Sequence, residues 1–154
     1  MKKVLLLALS ALAAALLIPA AFAGNGPAPK ATGDFWYTNP WTDVPTHITF
    51  VAQGLGASAK GSMSYQDERG TYQARVIEAH PGANGEFFFT AEITSSTGAY
   101  AVGASEPRPA GTLVPLKVVD NGEPGVNDNA FYLNPGDGLS YELGPLTAGN
   151  IQVH

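Results

Sequence analysis

From Asp34 to the C-terminus, apolar and polar residues alternate in short runs, and Gly, Pro, Asn and Asp separate the runs. Alternation with a period of two puts successive side chains on opposite faces of an extended chain, so each run predicts a strand with one buried face. In His47–Gln53, Ile48, Phe50 and Ala52 share the inward face, while His47, Thr49 and Gln53 share the other. Gly61–Gln66 turns Met63 and Tyr65 inward, and Thr71–Ala79 does the same with Tyr72, Ala74 and Val76. Glu86–Thr94 shows the pattern most clearly: Phe87, Phe89, Ala91 and Ile93 point inward, and Phe88, Thr90, Glu92 and Thr94 point outward. Leu113–Asp120 groups Val114, Leu116 and Val118, and Pro115, which has no ladder donor, marks an edge strand or a strand start. Phe131 with Leu133, then Leu139–Leu143, then Ile151 with Val153 supply the last strands.

Beyond residue 23 no segment sustains apolar residues at three- and four-residue spacing, so the body of the chain predicts next to no helix. Strands that recur at about 8–12-residue spacing, with turn residues between them, predict an all-β fold. The expected architecture is an antiparallel β-sandwich or barrel of about eight or nine strands.

The N-terminus follows a different pattern. Lys2 and Lys3 precede an apolar run from Val4 to Ile18 broken only by Ser10, and Pro19 and Ala21-Phe22-Ala23 follow. A basic start, an apolar stretch and a small-x-small site make a cleavable bacterial secretory signal peptide. The run is about long enough to span a bilayer, but the proline and the alanines argue for cleavage over anchorage. The expected organisation is therefore residues 1–23 as signal peptide, 24–33 as a flexible Pro/Gly/Ala linker, and 34–154 as a single all-β domain. That places the domain outside the cytoplasm, secreted or periplasmic, and off the membrane after cleavage.

Charge narrows the range of functions. Cleavage leaves six basic and 13 acidic side chains, a formal balance of −7. Nucleic-acid affinity comes mainly from clustered Lys and Arg on phosphates, so this chain is not expected to bind nucleic acid. The chain has no Cys, which removes thiol nucleophiles, thiolate metal sites and disulfide staples.

One segment is rich in hard oxygen donors. Asp120, Asn121, Glu123, Asn127 and Asp128 lie within nine residues, and Gly122 and Gly125 allow tight turns. Such a loop suits Ca²⁺, which takes six to eight oxygen ligands, and no other cofactor is expected. The spacing is not that of an EF-hand, and Asn121-Gly122 is also a strong hairpin signal with Asp128 capping local donors. The three histidines, His47, His80 and His154, share no local metal-binding spacing. Phe35, Trp36, Tyr37 and Trp41 cluster at the start of the domain. Of these, Trp36, Tyr37 and Trp41 are candidates for a binding face that stacks on sugar rings or prolines, although first-strand aromatics also close the ends of barrels. No nucleophile elbow, zinc-protease helix or phosphate loop is present, and Asp67, Glu68, Glu106 and Asp137 are isolated acids on turns.

Three strings occur in order: Lys60–Tyr65 (KGSMSY), Val118–Gly125 (VVDNGEPG) and the terminal Gly149–His154 (GNIQVH). Together they resemble the post-COAP-type family of small secreted bacterial proteins of unknown function, over roughly Asp34 to His154. The resemblance implies an exported all-β protein and carries over no catalytic residue. Many members have a Cys near the middle strands, and this chain has none.

The sequence thus points first to a secreted, non-catalytic β-domain with a binding or structural role, its partner a glycan or an extracellular protein. The alternatives are a small secreted hydrolase using acidic residues and a barrel that carries a small apolar ligand. Two carboxylates with raised pKa in one cleft would favour the hydrolase, a deep apolar cavity the carrier, and a flat strip of Trp36, Tyr37 and Trp41 the binding module.

Overall fold

The computed structural model describes residues 27–98 and 108–154. The signal peptide expected over residues 1–23, the first three residues (24–26) of the linker expected over 24–33, and Glu106 lie outside the described residues. The strands are β1 (Lys30–Thr38), β2 (Pro45–Gln53), β3 (Lys60–Asp67), β4 (Gly70–Pro81), β5 (Glu86–Gly98), β6 (Leu113–Val119), β7 (Asn129–Leu133), β8 (Ser140–Glu142) and β9 (Leu146–Val153). The only helical element among the described residues is a 3-10 turn at Gly125–Asn127. The fold is all-β, as the alternation predicts.

All nine strands form one antiparallel sheet in the order β8-β7-β6-β5-β4-β3-β2-β1-β9. Strands β1 to β8 are therefore a plain meander, and only β9 leaves the sequential order, to pair with β1. That single step bends the whole sheet. β8 and β9 are its two opposite edges, yet only Leu143, Gly144 and Pro145 connect them. So short a link holds Glu142 and Leu146 within about 14 Å of each other. Two edges of a nine-stranded sheet come that close only if the sheet curls round on itself, and the result is a half-barrel with one apolar interior.

The inward faces are those the alternation predicts. Ile48, Phe50, Ala52, Met63, Tyr65, Phe87, Phe89, Ala91, Ile93, Val114, Leu116 and Val118 are all buried. Across the interior the rings of Phe50 on β2 and Phe89 on β5 stack with centroids 4.9 Å apart. Phe88 faces out, as expected, and stacks on His80 of β4.

Three local features depart from the sequence expectation. β1 begins at Lys30, so residues 30–33 of the expected linker are strand: Ala31 is fully buried and Gly33 faces the interior with the Phe50 ring against it. In β4 the pairing with β5 shifts between Val76 and Glu78, and Ile77 is the extra residue. A one-residue bulge reverses the phase of alternation, so Ala79 is buried although it lies three residues after Val76. Pro115 lies in an interior strand, since β6 pairs with both β5 and β7. The β6–β7 ladder covers only Leu116–Val119, so the missing N–H falls where no β7 residue would accept it.

Candidate functional site

The half-barrel is held differently at its two ends. At one end are the last residues of β6, the Asp120–Asp128 connection and the C-terminal half of β9. The N–H groups of Ile151 and Val153 point away from β1, because Lys30 and His154 exchange backbone hydrogen bonds at that end of the β1–β9 ladder. These two donors would otherwise be the free edge of the sheet. Asp128 Oδ2 accepts the Ile151 N–H at 2.8 Å, and Asp120 Oδ2 accepts the Val153 N–H at 3.0 Å. Asn150 Nδ2 donates to Glu123 Oε1 at 2.8 Å. The other carboxylate oxygens fold the connection itself: Asp128 Oδ1 accepts from Asn121 N–H and Asp120 Oδ1 from Gly122 N–H. Asn121 Nδ2 donates to the Asn127 carbonyl. Gly125 is buried against β9, where a Cβ would lie 2.1 Å from Asn150 Oδ1, so only glycine allows this approach.

Of the five residues expected to hold Ca²⁺, Asp120, Glu123 and Asp128 therefore form a seam of side-chain acceptors, while Asn121 donates to the Asn127 carbonyl within the connection. Asp128 is 1% exposed, and burial raises its carboxyl above the usual range. The Ile151 and Asn121 N–H groups act against that rise, and the negative charges of Asp120 and Glu123 add to it. Among the described residues no three His, Asp or Glu side chains converge as metal ligands do. His47 binds Asp34, His80 stacks on Phe88, and His154 joins the ladder through its backbone.

At the other end the interior opens into a cavity of about 540 Å³. Ile48, Met63, Val114, Leu116 and Leu143 make its apolar floor. Its walls carry five tyrosines, from β1 (Tyr37), β3 (Tyr65), β4 (Tyr72), β7 (Tyr132) and β8 (Tyr141). Tyr65 and Tyr72 are a direct cross-strand pair and stack with centroids 4.8 Å apart. Tyr37 is buried, and burial pushes its phenol far above the usual range, reinforced by the nearby Tyr65, Tyr72 and Asp67. Burial likewise raises Tyr65, and the nearby Thr46 hydroxyl acts against the rise in both phenols.

The rim is built by two Asn-led turns. Asn39 Oδ1 accepts the Trp41 N–H at 3.0 Å, which folds the β1–β2 turn and brings Trp41 to the mouth. Asn134 Oδ1 accepts the Gly136 N–H, and Asp137 accepts from Leu139 N–H and the Tyr141 hydroxyl. Trp41 and Tyr141 then meet edge-on at 6.1 Å, joining the β1–β2 turn to the edge strand β8 at the mouth of the cavity. Thr42 Oγ1 is buried on the cavity wall without a hydrogen-bond partner. Arg108 is the single charged side chain among the described lining residues.

The three aromatics expected to form one binding face are split between different surfaces. Tyr37 points into the cavity, Trp41 stands at its mouth, and Trp36 lies on the outer face. There Trp36 stacks on its cross-strand partner His47 at 4.5 Å, and His47 Nε2 meets Asp34 Oδ1 at 2.7 Å. A shallow groove of about 410 Å³ beside this group is lined by Thr32, Thr49, Ser62, Asn150 and Gln152.

No two carboxylates face one another in the cavity, whose described lining contains neither Asp nor Glu. Asp67 lies behind Tyr65 and accepts from its hydroxyl at 3.0 Å and from Arg69 Nη2 at 2.9 Å. Burial alone would raise the Asp67 carboxyl, but the side chain and backbone N–H of Arg69 outweigh it and hold it below the usual range. The tyrosine ring of the cavity was not singled out from the sequence. Its signal was present as a Tyr at the same end of several strands, one per strand, but only the meander topology brings those ends together.

Comparison with protein-family models, curated proteins and solved structures returns no match for this chain.

Proposed function

We propose that the chain is an exported, non-catalytic β-domain that binds a small amphipathic molecule in the tyrosine-lined cavity. The cavity itself carries this reading: its volume of about 540 Å³ falls within the range of small-molecule sites, about 300–1,000 Å³. An apolar floor with a few polar groups at the rim suits a ligand with an apolar body and one polar end. The tyrosines offer hydroxyl groups and ring faces to a ligand, and burial holds the Tyr37 and Tyr65 phenols above the usual range. Binding is favoured over the hydrolase reading because the described walls hold neither Asp nor Glu to act as an acid–base pair. Of the three functions the sequence left open, the carrier is the one the cavity favours.

A second reading has its own observation. Trp36 is 41% exposed beside a groove that presents hydroxyl and amide side chains together with the Asp34 carboxylate, a set of hydrogen-bonding groups that suits a glycan on the outer face. Tryptophan fluorescence separates the two sites. A panel of small amphipathic molecules and soluble glycans is titrated against wild type, Trp36→Phe and Trp41→Phe. Cavity binding is expected to quench the signal in wild type and Trp36→Phe and to leave Trp41→Phe silent. Quenching that disappears with Trp36 instead assigns binding to the outer face and ends the cavity reading.

Membership of the post-COAP-type family stands as part of the same proposal. Its two more specific strings, Val118–Gly125 and Gly149–His154, are the two sides of the carboxylate seam. We assign the acids of that loop to holding β9 rather than a cation, since the carboxylate oxygens of Asp120 and Asp128 already accept backbone N–H groups.

A further inference from the structure

We infer that the ligand of the cavity is an uncharged aromatic molecule, and that the ring of Tyr132 receives its flat face. This rests on the reading of the cavity as a ligand site and narrows it to a chemical class. Six of the fifteen described lining residues are aromatic, and they come from five strands and the β1–β2 turn, so rings approach the cavity from several sides. Aromatic pairs gain from offset or edge-on contact beyond the area they bury, so such a lining distinguishes a flat ring from an aliphatic body of the same size. Met63 on the floor adds a thioether, which makes favourable contacts with ring edges.

Most of these rings are already paired. Tyr65 stacks on Tyr72, Trp41 meets Tyr141 edge-on, and Tyr37 lies tilted against Phe35 at 6.2 Å. Tyr132 differs, since it makes no ring contact and no hydrogen bond among the described residues. Its cross-strand neighbours are Leu116 on the floor and Tyr141 at the mouth, which places it on the inner face of β7. Leu116 is fully buried there, yet Tyr132 stays half-buried. A ring on the inner face that no other ring covers is where a flat ligand gains contacts the chain itself leaves unmade. Charge is disfavoured for a separate reason. The described lining holds neither Asp nor Glu, and Arg108 is already engaged within the chain. The burial that raises the Tyr37 phenol also penalises a carboxylate or an ammonium placed beside it. An uncharged ring incurs no such cost.

The test compares three probes by calorimetric titration at neutral pH: 2-naphthol, its saturated counterpart 2-decalol, and 2-naphthoate. Wild type is expected to bind 2-naphthol about fivefold more tightly than 2-decalol, as one aromatic pair allows, and to bind 2-naphthoate more weakly than 2-naphthol. Tyr132→Leu keeps an apolar side chain and is expected to bring the naphthol and decalol affinities together, with a cooperative thermal melt showing that it is folded. Tyr132→Phe keeps the ring and is expected to keep the preference. Equal binding of naphthol and decalol by wild type overturns the aromatic assignment, and tighter binding of naphthoate overturns the uncharged one. An undiminished preference in Tyr132→Leu, or its loss in Tyr132→Phe, overturns the role of the Tyr132 ring. Each of these leaves the cavity reading standing. Failure of wild type to bind any of the three probes removes this inference, while the Trp36 and Trp41 titrations decide the cavity reading independently.

Discussion

Asp128, on the connection between β6 and β7, accepts the backbone N–H of Ile151 on β9 at 2.8 Å. A side chain here takes the place of a strand. The N–H groups of Ile151 and Val153 point outward from the edge of the sheet, where no strand pairs with them, and Asp128 and Asp120 accept them in turn. An open edge is a template for pairing with another chain, and these carboxylates occupy it. The acidity of the loop, costly in isolation, is what the edge of β9 requires.

Loss of this contact is expected to destabilise the fold. Asp128→Ala leaves the buried N–H of Ile151 without an acceptor, a cost of about 1–3 kcal/mol, and also removes the acceptor of the part-buried Asn121 N–H. Asp128→Asn keeps one carbonyl oxygen and no longer buries a charge, so it is expected to cost clearly less. Chemical denaturation of the three proteins measures the order. Because the carboxylates are already engaged, millimolar calcium is expected to leave the wild-type melting temperature where chelator leaves it. A rise with calcium, absent in Asp128→Ala, would return the loop to the role of a cation site.

The Phe50–Phe89 stack joins β2 to β5 across the interior, with Phe89 2% exposed. Phe89→Ala removes a fully packed ring from the interior and leaves a cavity in its place. The expected loss is about 3–5 kcal/mol. The outward-facing Phe88→Ala serves as control and is expected to cost far less. Equal losses for the two variants would mean that the face of β5 has been assigned wrongly.

Asp67 sets an acid-sensitive element. Its carboxyl titrates lower in the folded chain than in the unfolded one, because Arg69 and the Tyr65 hydroxyl favour the ionised form. A group with a depressed folded pKa stabilises the fold above its unfolded value, about 3.9, and loses that contribution as pH falls through the folded value. Wild type is therefore expected to melt above Asp67→Asn at pH 6, with the gap closing below about pH 4. A gap that stays constant from pH 6 to pH 3 would show that the Asp67–Arg69 charge pair contributes nothing through its ionisation. Asp128 has the opposite sign, because burial raises it, but it is common to both proteins and cancels in the comparison.

The sequence alone determined the class of fold and most of its interior. A period-two alternation is a local property of an extended chain, so Phe87, Phe89, Ala91 and Ile93 could be assigned to one face without knowledge of their neighbours. It failed only where something non-local intervened. A bulge at Ile77, set by pairing with β5, moved Ala79 inward, and Pro115 sits inside the sheet one residue before the β6–β7 ladder begins at Leu116. Only the tertiary structure decided what the polar clusters do. Asp120–Asp128 reads as a cation loop or a turn until β9 is placed beside it, because the donors its carboxylates satisfy lie more than twenty residues away. Tyr37, Tyr65, Tyr72, Tyr132 and Tyr141 read as scattered core residues until the meander stacks their strand ends round one cavity. Trp36 and Tyr37 are neighbours in sequence but lie on opposite faces of β1, and Trp41 reaches the mouth only through the Asn39 turn. Side-chain direction along a strand is local, whereas the convergence of side chains from different strands depends on strand order, here set by the single step that pairs β9 with β1.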